Sequence, residues 1–300
     1  MDLTAYHPFR SPEAKEQFMT TYNAWAQRWP VPAESRMVDT TFGPTHVQIS
    51  GPDGAPPLVL LHGAGGNSLM WMFNVEALSA AYRTYAVDIV GDYGLSVYTR
   101  PIQRPDDYVQ WLHSLLDALH LDGRANLMGL SLGGWLTSLY ALRFPDCLDK
   151  IVLLAPVCTV LPLPLAWYLR GLPALLPVRA LTRSFMYWLM EDAVKGDAAM
   201  RQFMEGWLED SYAAVRCFKP RPMVQPTVLE DGELQRLAPP TLFLVGEHEK
   251  IYDAHKAVQR LNDVAPQIQT EIIPNAAHDL IFVQADVINR RVLAFLGGSW

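Results

Sequence analysis

Six short runs rich in Leu, Val and Ile constrain this chain more than any other feature: 58–61 (LVLL), 85–90 (YAVDIV), 126–129 (NLMG), 151–155 (IVLLA), 241–245 (TLFLV) and 270–273 (TEII). Most are continuous rather than alternating, as strands covered on both faces must be. Helical stretches such as 105–119 and 135–143 lie between them. Strand and helix in alternation predict an α/β fold, a mostly parallel, doubly wound sheet with right-handed crossovers. The rhythm breaks once. About eighty residues separate the runs at 151–155 and 241–245, far beyond a usual crossover. Residues 157–235 are therefore an insertion, and their Leu, Trp, Phe and Met content predicts a helical cap over the site. The core is then 1–156 together with 236–300.

Ahead of the first run the pattern differs. Ser11-Pro12-Glu13 supplies a cap and a first-turn proline, and Phe18, Tyr22, Trp25 and Trp29 recur at helical spacing, which predicts an extra N-terminal helix over 11–29. Weaker strand signals at 35–41 and 45–50, joined by Gly43-Pro44, read as an antiparallel hairpin.

Composition excludes several classes of partner. The net charge is −7 with no basic stripe, which argues against nucleic acid. Cys147, Cys158 and Cys217 are odd in number and widely spaced, which favours a reducing, cytoplasmic setting over a disulfide framework. The first residues lack a basic and an apolar segment and read as non-secretory. Residues 151–169 carry no charge, but Pro156, Pro162 and Pro164 interrupt them. A buried strand followed by a proline-rich crossover is expected there, with no stable membrane insertion.

The strongest local signal is Gly129-Leu130-Ser131-Leu132-Gly133-Gly134, set between a strand-like NLM and a helix-like WLTSLYALRF. A strand that turns sharply into a helix strains the residue at the corner, and a Cβ on either flank would clash. Such a turn presents the Ser131 hydroxyl as a nucleophile, with the Leu132 amide at a helix N-terminus facing the same space. His62-Gly63-Ala64-Gly65-Gly66 directly follows LVLL. Its Ala64 amide is the candidate second donor for an oxyanion, and His62 is read as structural, bonded to loop backbone. His278 stands in the loop Pro274–Asp279 after the last strand, where a spatially assembled triad needs its base. The other histidines lack this placement and show no metal-ligand spacing, so neither metal nor cofactor is expected. The acid belongs after TLFLV, where Glu247, Glu249 and Asp253 compete. Asp253 has a second natural job as the N-cap of a helix over 254–261.

These motifs resemble the α/β-hydrolase superfamily from about residue 40 onward. Within it the chain is similar to bacterial serine carboxylesterases that carry G-E-H-E-x-I-Y after the seventh strand, here Gly246–Tyr252, and D-x-x-G-x-G-x-S after the fourth, here resembled by DIVGDYGLS at 88–96. The resemblance implies that Glu249, three residues after the glycine, is the acid, where most of the superfamily has Asp. It also implies an N-terminal helix that supports the cap. The expected activity is hydrolysis of small-molecule carboxylic esters with small to medium or aryl acyl groups through an acyl-enzyme. Carbon–carbon bond hydrolases and lactonases of the same fold are the nearest rivals, and a non-catalytic small-molecule receptor is the rival from another class. Trp167, Tyr168, Phe185, Tyr187, Trp188, Phe203 and Trp207 exceed what a short insertion needs for its own packing. Of these, Trp167, Phe185, Trp188, Phe203 and Trp207 are the candidate lining of an apolar acyl pocket.

Overall fold

The computed structural model describes residues 4–121, 123, 125–220 and 224–298; the remaining residues of the core and of the 157–235 insertion lie outside the described residues. The Ser11 hydroxyl accepts a hydrogen bond from the Ala14 N–H, so helix α1 (Pro12–Ala26) starts where its cap residue dictates. Phe18, Tyr22 and Trp25 are buried along one face. The helix stops before Trp29, because Trp29 precedes Pro30 and proline disfavours helical backbone in its predecessor. The Trp29 indole N–H donates instead to Ser50 Oγ at 3.1 Å.

Strands β1 (Ala33–Thr40) and β2 (Gly43–Ser50) form the antiparallel hairpin. There follow β3 (Pro57–Leu61), a 3-10 turn at Ser68–Phe73, α2 (Val75–Ser79), β4 (Arg83–Val87), α3 (Pro105–Ala118), β5 (Ala125–Leu130), α4 (Leu132–Arg143) and β6 (Leu148–Leu154). After β6 come α5 (Leu165–Ala174), α6 (Arg179–Leu189), α7 (Glu191–Lys195), α8 (Ala198–Cys217) and α9 (Asp231–Gln235). The chain closes with β7 (Thr241–Gly246), α10 (Ala254–Val264), β8 (Gln269–Ile273), α11 (Leu280–Val283) and α12 (Ala285–Gly297).

Among the described residues the strands make one eight-stranded sheet, ordered β1-β2-β4-β3-β5-β6-β7-β8. The two pairings made by β2 are antiparallel and the rest are parallel. Every residue of β5 and β7 is buried, which is why their sequences run apolar without alternation. Trp71, Trp111, Trp135 and Tyr140 are wholly enclosed in the layers flanking the sheet. At roughly 1.5–3 kcal/mol for each large apolar side chain removed from water, such residues dominate stability. The outer strand β1 is mostly exposed and carries Glu34, Arg36 and Asp39, charges that discourage pairing with a foreign strand.

β4 ends at Val87, three residues before the apolar run does. Asp88 keeps one backbone contact to β2, its N–H donating to the His46 carbonyl at 3.0 Å, while its buried carboxylate gathers partners beyond β4. Oδ1 accepts from the Ser68 N–H at 2.7 Å, while Oδ2 accepts from Leu95 N–H at 2.7 Å and lies 2.9 Å from His46 Nδ1. Burial alone would raise this carboxyl, but His46 and the converging donors outweigh it and hold Asp88 at about 2. The segment 88–96 is thereby fastened against the turn that follows β3. The charge-free stretch 151–169 divides into the end of β6, a crossover and the start of α5. Among the described residues no helix is long and apolar enough to cross a membrane.

Candidate active site

The site begins at the carboxyl end of β5, between β3 and β6 in the middle of the sheet. Between that strand and α4 stands Ser131, with φ +52° and ψ −110°, a backbone conformation that costs a non-glycine residue of order 1–3 kcal/mol. The surroundings enforce it. The Ser131 N–H donates to the Leu154 carbonyl at 2.9 Å, and its own carbonyl accepts from Trp135 N–H at 3.0 Å and Val157 N–H at 3.1 Å. A Cβ on Gly129 would fall 2.2 Å from the Gly133 carbonyl oxygen, and one on Gly133 would fall 2.1 Å from that of Leu61. Only glycine lets strand and helix meet this closely. Gly129→Ala is therefore expected to cost about 1–3 kcal/mol through overpacking, read as a lower urea midpoint at unchanged slope. An unaltered midpoint would contradict this account of the elbow.

The turn after β3 packs directly on the serine, since a Cβ on Gly63 would stand 3.4 Å from Ser131 Cβ. His62 is fully buried, and its Nε2 accepts from the Ile89 N–H at 2.9 Å. The proton must then sit on Nδ1, 2.8 Å from the Gly63 carbonyl, so both ring nitrogens are bonded to backbone. Gly65 N–H donates to both Asp92 carboxylate oxygens at 3.1 Å, and Gly66 N–H to the Gly63 carbonyl at 3.2 Å. Ala64, between Gly63 and Gly65, is exposed.

The loops after β7 and β8 are zipped together. Glu247 N–H donates to Ile273 O at 2.9 Å and His248 N–H to Ala276 O at 2.8 Å. A Cβ on Gly246 would meet the Ala276 and Ala277 carbonyls at 2.3 and 2.4 Å. This contact brings Glu249 to His278. Both carboxylate oxygens of Glu249 lie 3.0 Å from His278 Nδ1, and Oε1 also accepts from the Lys250 N–H at 2.7 Å and the Ile251 N–H at 3.1 Å. The Glu249 side chain is fully enclosed and that of His278 nearly so.

The two competing carboxylates face elsewhere. Glu247 Oε2 accepts from Asn275 N–H at 3.2 Å, and exposed Asp253 caps α10 by accepting from Lys256 N–H at 3.0 Å. Tyr252 is buried beside Glu249; burial first, and then the Glu249 charge, push its phenol well above the usual value and keep it neutral. A carboxylate on Nδ1 leaves Nε2 as the proton-accepting nitrogen of the imidazole.

The aromatic residues of the insertion separate into two groups. Phe203 and Trp207 of α8 are buried against Trp25 of α1, at centroid distances of 5.4 and 6.0 Å, and against Phe282 of α11 at 5.3 and 5.8 Å. Trp167, Phe185 and Trp188 pack on one another across α5 and α6 and are half-buried. Sequence reasoning gave no role to Asp279, which is wholly buried next to His278. Its adjacency to the histidine was the only signal available.

The family model for alpha/beta hydrolases matches residues 58–291, which run from β3 into α12 and contain Ser131, Glu249, His278 and the turn after β3. The chain belongs to the alpha/beta hydrolase family. Among its curated relatives in that family, the chain is 38% identical to the uncharacterized carboxylesterase nap of Bacillus subtilis (strain 168), over 94% of this chain and 93% of the relative. It is 34% identical to carboxylesterase YbfK of the same organism, over 97% of each. The crystal structure of naproxen esterase (carboxylesterase NP) from Bacillus subtilis superposes with a TM-score of 0.86 at 34% identity, covering 99% of this chain and all of that one. The eight-stranded, mostly parallel sheet is thus the alpha/beta-hydrolase fold.

Proposed function

We propose that this alpha/beta hydrolase is a serine carboxylesterase in which Ser131 is the nucleophile, His278 its general base and Glu249 the acid that orients the base. The pairing of His278 Nδ1 with the enclosed Glu249 carboxylate at 3.0 Å carries the reading. It is supported by relatives named carboxylesterases along nearly the whole chain. Ser131 Oγ attacks the ester carbonyl as His278 Nε2 takes its proton, and Glu249 stabilises the imidazolium. The oxyanion is assigned to the amides of Leu132, in the first turn of α4 where no intrahelical acceptor exists, and of Ala64, beside the Gly63–Ser131 contact. His278 then protonates the departing alcohol, and water repeats the sequence on the acyl-enzyme. Apart from the ester and that water, each step uses groups of the protein.

Residues 157–235 serve as a cap over this centre in our reading. Phe203 and Trp207 meet Phe282, four residues past His278, and form the aromatic wall of an acyl pocket; Trp167, Phe185 and Trp188 make its outer part. A reducing, cytoplasmic setting fits the three free cysteines.

Hydrolysis of p-nitrophenyl esters tests both points. Butyrate should exceed acetate in kcat/KM by on the order of tenfold, since two extra buried methylenes contribute roughly 0.8 kcal/mol each. A flat profile from acetate to octanoate would remove the apolar pocket. Turnover of a dienone ring-cleavage product above that of the esters would replace the carboxylesterase reading with carbon–carbon hydrolysis.

A further inference from the structure

Helix α7 is only five residues long, yet it touches both loops that carry the acid and the base. Glu191 at its start pairs with Lys250, the residue after Glu249. Asp192 pairs with His248, the residue before Glu249, at 2.9 Å. The Ala193 N–H, buried and pointing out of the first turn, donates to Asp279 Oδ2 at 2.7 Å. The other oxygen of Asp279 accepts from the Ala277 N–H at 2.9 Å, so one carboxylate brackets His278 from both sides and ties it to α7. We propose that Asp279 is a positioning residue for the His278 base, and that α7 is the clasp through which the inserted helices hold Glu249 and His278 in register. The inference rests on the assignment of His278 as base.

Asp279 is an unusual group to retain for stability alone. Burial, with the Asp192 charge adding to it against the two amide donors, raises its carboxyl to about 6. A carboxyl raised above its unfolded value costs stability wherever it is ionised, so above pH 6 the charge works against the fold and the cost fades as pH falls. The ionised form is nonetheless the one that can accept from Ala193 and Ala277 together. Two strong acceptor contacts are thus kept at a position where a neutral residue would be easier to bury. Asp192 is the charged group that acts on it directly; the segments it ties together also carry Glu191 and Lys195 on α7, Glu247, His248, Glu249 and Lys250 after β7, and His278 in its own loop. Of these, Glu191 is held at about 2 by Lys195 and Lys250, far below the pH range in which Asp279 changes charge.

Asp279→Asn tests the clasp. The amide keeps the shape but has one acceptor for two donors. We expect kcat for p-nitrophenyl butyrate to fall about 10–100-fold, the loss that a displacement near 1 Å can cause, with KM changed less than about threefold. The thermal midpoint at pH 7.5 should stay within a few degrees, since no charge is left to bury. The acid limb of log kcat against pH should lose the contribution of a second proton near 6 and fall with unit slope. A kcat within twofold of the unaltered enzyme and a superposable pH profile would overturn the proposal. Should Asp279→Asn not fold, Asp192→Asn at the partly exposed edge of α7 gives the second reading. It should lower kcat about three- to tenfold at an unchanged midpoint, and an unchanged kcat would again overturn the clasp. Ser131→Ala run alongside separates the two levels. If it is inactive while both clasp variants are normal, only the clasp fails; if it is active, the triad fails first.

Discussion

Ser131→Ala is expected to lower kcat for a p-nitrophenyl ester by roughly 10³–10⁶-fold while leaving the protein folded. The lower bound reflects what the remaining machinery could still do: amides aimed at a developing oxyanion and a shaped site retain part of the rate enhancement when the nucleophile is lost. The folded state should survive because the elbow is held by backbone. The amide of residue 131 bonds to Leu154, and its carbonyl to Trp135 and Val157, none of which involves the hydroxyl. Alanine still has a Cβ at φ +52°, so the strain at the corner is neither relieved nor increased. The thermal midpoint should therefore shift by no more than a few degrees. Labelling by a fluorophosphonate probe should vanish together with turnover. Near-normal hydrolysis by the variant would sink the entire assignment, since the mechanism gives the attack on the ester to this hydroxyl alone.

Much of the fold was legible because burial on both faces leaves a plain mark on sequence. β5 and β7 contain no exposed residue, so nothing in them needed to alternate. The α1 boundary was readable at its start, where Ser11 and Pro12 act locally, and misread at its end, where Trp29 continued the aromatic spacing although Pro30 had already broken the helix. The overrun at β4 has the same origin: Asp88 lies inside an apolar run, and its departure from the strand depends on partners at 46, 68 and 95. The local chemistry of Gly129–Gly134 was visible because a strand, a sharp turn and a helix are contiguous in the chain. The clasp was not. Asp279 meets a backbone N–H eighty-six positions away, and no pattern in the sequence marks a main-chain donor as a partner. Which aromatic residues of the insertion pack on α1 and α11 and which stack on one another was hidden for the same reason. Helical spacing gives the face of a helix but not the surface that covers it.

Glu249→Gln should lower kcat by roughly 10²–10⁴-fold, and Asp253→Asn should change it by less than about twofold. The difference follows from what each carboxylate holds. Glu249 presents two oxygens at 3.0 Å from His278 Nδ1 in an enclosed setting. In the glutamine variant one oxygen is left. If it keeps the Lys250 and Ile251 amides, the new NH₂ group faces Nδ1 and favours the tautomer with its proton on Nε2, the nitrogen required to accept from the serine. If the amide flips, Nδ1 retains its proton, but no charge remains to stabilise the imidazolium and two backbone donors lose their acceptor. Either arrangement slows proton abstraction without disturbing the strands, so the unfolding midpoint should fall far less than the rate. Asp253 accepts one hydrogen bond, from Lys256 N–H at the start of α10, and asparagine is as good an N-cap as aspartate. Its replacement therefore removes nothing that the reaction uses. Glu249→Asp adds a further discriminator: the charge is kept but the reach is shortened by a methylene, so its rate should lie between those of the glutamine variant and the unaltered enzyme. Steady-state kinetics on the three variants with one ester decides the matter. If Asp253→Asn loses the rate and Glu249→Gln keeps it, the pairing of Glu249 with His278 is structural and Asp253 takes over as the acid.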